Sequence, residues 1–416
     1  MTHKVELLDV DKASVNLANI ISETPLNYSA RLSEIYQANI YLKREDLQPV
    51  RSYKIRGSYN LMSKIAQKSK IKEVVTASAG NHAQGVALSA ANLKIKAVIF
   101  MPITTPLQKI SRVKHFGKKW VDIRIVGANF DISCDAAVDY AKKRGAAFVH
   151  PFDDVDIITG QATIALEIVE KLKGSIDMVV CPVGGGGLIS GISSYMKQVS
   201  PKTEIVAVEP EGAAAFNESL RKGKVVKLKE LDTFVDGVAV KKVGNITFDI
   251  SKKLVSKSLV VPVGKVCSTM IDLYQNEGII AEPAGALSIS VLDELAKKIK
   301  GKTVVCIVSG GNNDILRYPE ILEKSLIYEG LKHYFLIEFA QKPGQLRAFV
   351  NKALGPDDDI VRFEYAQKTE KEKGSALVGI QLERKADYPK LLSRLDKIGL
   401  NYTVLSENEQ LYSYLI

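Results

Sequence analysis

A lysine is by default a solvated surface charge, and Lys54 departs from that default through its neighbours. It stands in KREDLQPVRSYKIRGSYN (43–60), where acids and bases crowd a turn containing Pro49 before a helical pattern begins. An amine buried there loses the solvation of its charged form and becomes a nucleophile able to form a Schiff base. A second candidate is the run Gly184, Gly185, Gly186 and Gly187, which follows the apolar DMVVCPV (177–183) and precedes the helical LISGISSYMKQV (188–199). Four glycines leave backbone N–H groups unshielded at the positive end of a helix, which makes a cradle for phosphate; a tight turn alone needs one or two. A dinucleotide fingerprint would place a third glycine where Ile189 stands, so that match is partial. The five histidines show no HExxH or paired spacing, and no metal site is expected.

Such residues must be carried by elements that bring them together. From about residue 73, short apolar runs alternate with helical patterns: EVVTAS, KAVIF, VDIRIV, AAFVHPF, DMVVCPV and TEIVAVEP each precede an amphipathic or glycine-led segment. This is the α/β pattern of open, parallel-type sheets covered by helices, in which ligands bind at the carboxyl ends of the strands. TVVCIVSGGNND (303–314) reads as one more buried strand ending in a glycine turn. Beyond the charged helical ILRYPEILEKSLIYEG the pattern changes to βαββαβ over about 85 residues, a ferredoxin-like α+β domain whose polar QKTEKEKG (367–374) reads as a turn. The expected division is 1–322, with a smaller subdomain over roughly 50–150, a linker over 323–332, and 333–416.

Length and composition set the bounds. With 416 residues, 46% apolar and 25% charged, the chain has material for two or three ordinary globular domains. The net charge of +10 is spread through short clusters interspersed with acids, so a solvated surface is expected and nucleic acid is not. No apolar run is long enough for a membrane span, and the N-terminus carries acids where a secretory signal would be apolar, so a cytoplasmic location is expected. The four cysteines lie far apart and read as reduced core thiols.

Taken together, the Lys54 segment, SAGNHAQG (78–85), the GGGGL loop and SGGNND (309–314) resemble the tryptophan-synthase-β-like group of pyridoxal-phosphate enzymes, fold type II. Within it, the chain resembles the biosynthetic threonine deaminases, and the C-terminal unit resembles their ACT-like regulatory domain. The resemblance implies that Lys54 carries pyridoxal phosphate as a Schiff base, that Asn81 hydrogen-bonds the ring 3-oxygen, and that Gly184 to Leu188 (Gly184, Gly185, Gly186, Gly187, Leu188) hold the phosphate. Ser309 would meet the pyridine nitrogen, where a neutral hydroxyl favours β-elimination over transamination. Ser78, Ala79, Gly80 and His82 would present the substrate carboxylate with donors, although Ser78 and His82 are equally readable as helix caps. Tyr53 stands where the family usually has Phe. Related serine racemases use a serine at position 79 as a second base and bind a divalent metal through a Glu and an Asp; here Ala79 removes the base and Ala215 the second ligand after Glu209.

The activity so implied is conversion of L-threonine, with L-serine as a second candidate substrate, to 2-oxobutanoate and ammonia, the first step of isoleucine synthesis. Isoleucine inhibition, valine relief and a homotetramer are the family's expectation. The alternatives are a catabolic serine/threonine dehydratase and a non-catalytic amino-acid-binding regulator. For the C-terminal domain an effector sensor at KPGQLRAF (342–349) competes with a structural oligomerisation module.

Overall fold

The β-branched runs become strands with the burial that parallel sheets impose: Met178–Pro182 is buried throughout, and Thr303–Val308 in all but its first residue. The computed structural model describes residues 4–68, 71–365 and 372–405, which fall into two units, Met1–Asn313 and Asp314–Ile416. In the first unit, six strands form a sheet in the order Leu26–Tyr28, Asn39–Arg44, Thr303–Val308, Met178–Pro182, Glu204–Pro210, Lys257–Val261. All neighbours are parallel except the first pair. Four strands make a second, wholly parallel sheet in the order Val121–Ile125, Lys96–Met101, Glu73–Ala77, Ala147–Phe148. AAFVHPF thus contributes only two residues of strand, with Val149 N donating to Val75 O at 2.8 Å just beyond them. Helices such as Leu7–Leu17, Lys54–Lys68, Val155–Lys171 and Gly187–Val199 belong to the same unit.

In the second unit the strands run Asp359–Tyr365, Lys373–Gln381, Lys332–Ala340, Asn401–Val404, all antiparallel, with helices Gln345–Ala353 and Tyr388–Lys397. This is the ferredoxin-like order. Phe335, Ile337 and Phe339, spaced by two, point into one core with Phe349, Leu391 and Leu395 of the helices. The charged helical pattern ILRYPEILEKSLIYEG holds the helix Tyr318–Tyr328, with Ile321 and Ser325, one turn apart, buried on its packed face; residues 323–328 of the expected linker belong to this helix. Most of QKTEKEKG lies outside the described residues. No helix among the described residues is long and apolar enough to cross a membrane. Cys181, Cys267 and Cys306 are buried and Cys134 partly so.

Much of the charge around Lys54 is buried and paired. Arg56, fully buried, sends Nε and Nη2 to the two oxygens of Glu45 at 2.8 Å each, and Nη1 and Nη2 to Glu167 at 2.6 and 2.9 Å. Lys43 also donates to Glu167, and Thr24 Oγ1 to Glu45 at 2.5 Å. Burial alone would neutralise Glu45, but the Arg56 guanidinium holds its carboxyl below the usual range. Two cations face two anions, so the cluster is neutral as a whole while tying Asn39–Arg44, the helix Lys54–Lys68 and the helix Val155–Lys171 together.

Removing one partner of such a cluster leaves a buried charge uncompensated, which costs about 3–5 kcal/mol. Arg56→Met should therefore destabilise the first unit by that amount. Urea unfolding followed by the fluorescence of Trp120, the chain's single tryptophan, measures it; an unchanged midpoint contradicts the assignment.

Candidate functional site

The carboxyl ends of four strands converge on one region. Ser309 follows Thr303–Val308, Ser78 follows Glu73–Ala77, the glycine loop follows Met178–Pro182, and His150 comes two residues after Ala147–Phe148. The segment before Lys54 is zipped to the segment after Ser309. Tyr53 N donates to Ser309 O at 3.2 Å, Ser52 and Gly310 form an antiparallel bridge, and Gly311 N donates to Arg51 O at 2.9 Å. Asn312 Nδ2 adds a bond to Val50 O at 2.8 Å. Two motifs some 250 residues apart are thereby one local structure.

Lys54 opens the helix Lys54–Lys68. Its Nζ donates to Pro151 O at 3.1 Å and lies 5.2 Å from the centre of the Tyr53 ring. Burial draws the amine down to about 8, opposed by the negative charge of Glu282. Near neutral pH a useful fraction is uncharged, as a nucleophile or general base requires.

The glycine loop is pressed from behind. A Cβ on Gly185 would lie 2.2 Å from the Phe152 ring, and Gly186 has φ +93° with Thr247 Oγ1 2.8 Å from its Cβ position, so neither place admits a side chain. Thr247 Oγ1 and Gly244 N both donate to Gly185 O, at 2.7 and 3.1 Å, which turns the loop's carbonyl away. The helix Gly187–Val199 begins there with Gly186 as its cap and no side-chain capping bond, and Leu188 is buried in its first turn. Amides that no side chain caps, at the start of a thirteen-residue helix, are an anion site.

Asn81 is the first residue of the helix Asn81–Leu93, whose cap residue Gly80 makes no side-chain capping bond. Ser78 Oγ accepts from Gly80 N at 3.2 Å, outside the helix. Ser78, Ala79, Gly80 and Asn81 are partly exposed, whereas His82 is buried with Nε2 3.2 Å from Val149 O. Burial, reinforced by Lys54, pushes His82 down to about 3, so its ring is neutral and serves packing. Neither Ser78 nor His82 caps the helix. Ser309, buried, donates from Oγ to Ala284 O at 3.2 Å.

Three sets of residues at this site carried no role in the sequence reading. Glu282 accepts from Asn81 Nδ2 at 2.7 Å and Asn312 N at 3.2 Å; burial, reinforced by Asp236, raises it to about 7. Asn312 and Arg112 join it. The HPFDD run (150–154) is the third: His150 Nδ1 accepts from Phe152 N and Asp153 N, Pro151 holds Lys54, and Phe152 backs the glycine loop. Asp153 then caps the helix Asn245–Ser251 through Asn245, Ile246 and Thr247 N. Its signal was a polar run directly between a strand and a long amphipathic helix. Glu209, by contrast, caps the helix Ala215–Lys222 through Phe216 N and Asn217 N, and burial raises it to about 8.

The sequence profile of the family described as pyridoxal-phosphate dependent enzyme matches residues 17–310, and that of the C-terminal regulatory domain of threonine dehydratase matches residues 323–415. The chain is 49% identical over 413 residues to the biosynthetic L-threonine dehydratase of Halalkalibacterium halodurans, spanning 99% of this chain and 100% of the relative. It is 49% identical over 412 residues to that of Bacillus subtilis, spanning 99% and 98%. Among solved structures, the processed form of threonine deaminase isoform 2 from Solanum lycopersicum matches with a TM-score of 0.72 at 38% identity, over 78% of this chain and 96% of that one. Maize serine racemase matches with a TM-score of 0.71 at 29% identity, over 79% and 99%.

The depressed amine is directly measurable. In competitive labelling of the cofactor-free protein with acetic anhydride, Lys54 should reach half-maximal reactivity near pH 8, well below the value near 10.5 of an ordinary lysine. A midpoint like that of exposed lysines would show the amine to be solvated.

Proposed function

The chain belongs to the pyridoxal-phosphate-dependent enzymes and carries the C-terminal regulatory domain of threonine dehydratase; from that premise we propose that it is a biosynthetic L-threonine dehydratase, converting L-threonine to 2-oxobutanoate and ammonia. The observation that carries this reading is the pairing of a lysine drawn down to about 8 with a four-glycine loop at a helix start.

The residues fit the cofactor. Phe152 and Thr247 exclude side chains at Gly185 and Gly186 and so keep the loop bare backbone, and beside the zipped segment Ser52 Oγ and both polar atoms of Asn313 are buried without hydrogen-bond partners. Unsatisfied buried polarity of this kind suits a polar ligand. Gly184 to Leu188 would hold the phosphate, Lys54 the aldehyde carbon, Asn81 the ring 3-oxygen and Ser309 the ring nitrogen. Bound pyridoxal phosphate supplies an electron sink that acidifies the Cα–H of an amino acid joined to it.

The chain's own residues do the rest. The partly exposed Ser78–Gly80 turn, at an uncapped helix start, meets the substrate carboxylate. Lys54, its proton affinity lowered by burial, takes the Cα proton as general base. Threonine loses that proton and its β-hydroxyl, together one water; the released enamine takes up one water and gives 2-oxobutanoate and ammonia. Position 79 is alanine, so no side chain there offers a second base, and elimination is favoured over racemisation.

The regulatory reading is that isoleucine inhibits and valine relieves through the C-terminal unit. The KPGQLRAF turn supports it: Gly344, at φ +87°, leads into the helix Gln345–Ala353 without a side-chain cap. A homotetramer, a cytoplasmic location and some activity on L-serine belong to the same proposal.

A keto-acid assay with threonine and serine, repeated with isoleucine and valine, tests this. Threonine should be turned over with isoleucine inhibition reversed by valine, and Lys54→Ala should abolish turnover. Undiminished turnover in that variant would end the proposal, and indifference to both effectors would remove its regulatory part.

A further inference from the structure

Asn312 belongs to the SGGNND motif, and its amide sits among groups that cannot change hydrogen-bonding role. Arg112 Nη1 donates to Asn312 Oδ1 at 2.5 Å, and a guanidinium has no acceptor to offer. On the other side Asn312 Nδ2 donates to Val50 O at 2.8 Å, and a backbone carbonyl only accepts. The amide of Asn312 is therefore fixed in one orientation. Its other N–H goes to Asn81 Oδ1 at 2.8 Å.

That contact fixes Asn81 in turn. With Oδ1 facing a donor, Nδ2 faces Glu282 Oε1 at 2.7 Å, while Glu282 Oε2 accepts from Asn312 N at 3.2 Å. Rotating the Asn81 amide by half a turn would set oxygen against the Glu282 carboxylate and nitrogen against the Asn312 amide. Glu282 is itself held close: a Cβ on Gly310 would lie 2.3 Å from Oε1, so that glycine lets the carboxylate approach. One N–H of Asn81 remains unassigned, and it is a donor that cannot be exchanged for an acceptor.

We propose that Asn312, pinned by Arg112 and the Val50 carbonyl and assisted by Glu282, is a positioning residue that locks Asn81 as a donor, so that the cofactor's ring 3-oxygen is held in its deprotonated form. This rests on the reading that Asn81 faces that oxygen. Asn312→Asp is nearly isosteric yet reverses the polarity: it cannot donate to Asn81 or to Val50. Asn81 would then turn its N–H toward position 312 and its oxygen toward the ring.

The test compares Asn312→Asp, Arg112→Met, Arg112→Lys and Asn81→Ala as full-length holoenzymes, reading cofactor absorbance, threonine kinetics and thermal midpoint. Asn312→Asp should move intensity from the visible band of the deprotonated ring to the near-ultraviolet, and lower kcat by about tenfold, the scale of one hydrogen bond to a charged group, with KM little changed. Arg112→Met should shift the bands the same way by less, and Arg112→Lys, which keeps a donor, should restore them. If Asn81→Ala redistributes the bands while Asn312→Asp and Arg112→Met do not, the lock is overturned and the role of Asn81 stands. If Asn81→Ala leaves the bands unaltered, both readings fall. A loss of stability in Arg112→Met without any spectral change would likewise overturn the lock, since it would show a structural contact alone.

Discussion

The constraint on which the site depends is the neutral, buried ion cluster around Arg56. Two residues beyond the reactive amine, a guanidinium that cannot lose its proton is sealed from water and satisfied by Glu45, Glu167 and Thr163. Burying four charges is no efficient way to gain stability, since apolar residues of similar volume commonly do as well. What the cluster supplies is fixed geometry: it anchors the first turn of the lysine helix to the strand before it and to the helix that follows the HPFDD run. Because its charges cancel, Lys54 can be governed by burial and by Glu282, the two influences that set its proton affinity.

Sheet order does the remaining positioning. Thr303–Val308 lies directly beside Asn39–Arg44, in parallel and in register from Thr303 opposite Asn39 to Val308 opposite Arg44. The chain leaving each strand therefore emerges at the same edge, and residues 50–53 and 309–312 can pair at once. The parallel neighbour Met178–Pro182 delivers the glycine loop to that edge, and the smaller sheet delivers Asn81. Each polar group is brought by the carboxyl end of a strand, where the backbone has left the ladder and its amides and carbonyls are free to meet a ligand.

Much of this was legible in the sequence because the signals are local. A crowded lysine segment, four consecutive glycines and a strand ending in SGGNND stand out in short windows, and strand-helix alternation places them on a common edge. Glu282, Arg112 and the use made of Asn312 were not legible, because each acts on a residue about 200 positions away and resembles an ordinary polar residue in its own window. The crowding of acids and bases beside Lys54 is visible in the sequence, but the pairing of Arg56 and Lys43 with Glu167 is a tertiary fact. The setting of His82 is a tertiary fact of the same kind: its place in SAGNHAQG suggests a substrate contact, and the fold sets its Nε2 against the Val149 carbonyl. The helix Tyr318–Tyr328 was legible as a charged helical pattern, but the unit it joins was not, since its one buried face gives the sequence little to place it by.

Lys54 and Glu282 face opposite demands in one pocket. Burial alone moves both toward the neutral form, the amine down to about 8 and the carboxyl up to about 7. Were Glu282 to protonate first, it would cease to oppose the loss of Lys54's proton, but it would also need a donor's place where two N–H groups already point at its oxygens. The bonds from Asn81 and Asn312 resist that outcome by favouring the carboxylate. Near pH 8, where the amine begins to act as a base, Glu282 is therefore mostly ionised, and the proton traffic of the site falls on Lys54. The asymmetry between them comes from hydrogen-bond polarity, since burial treats both alike.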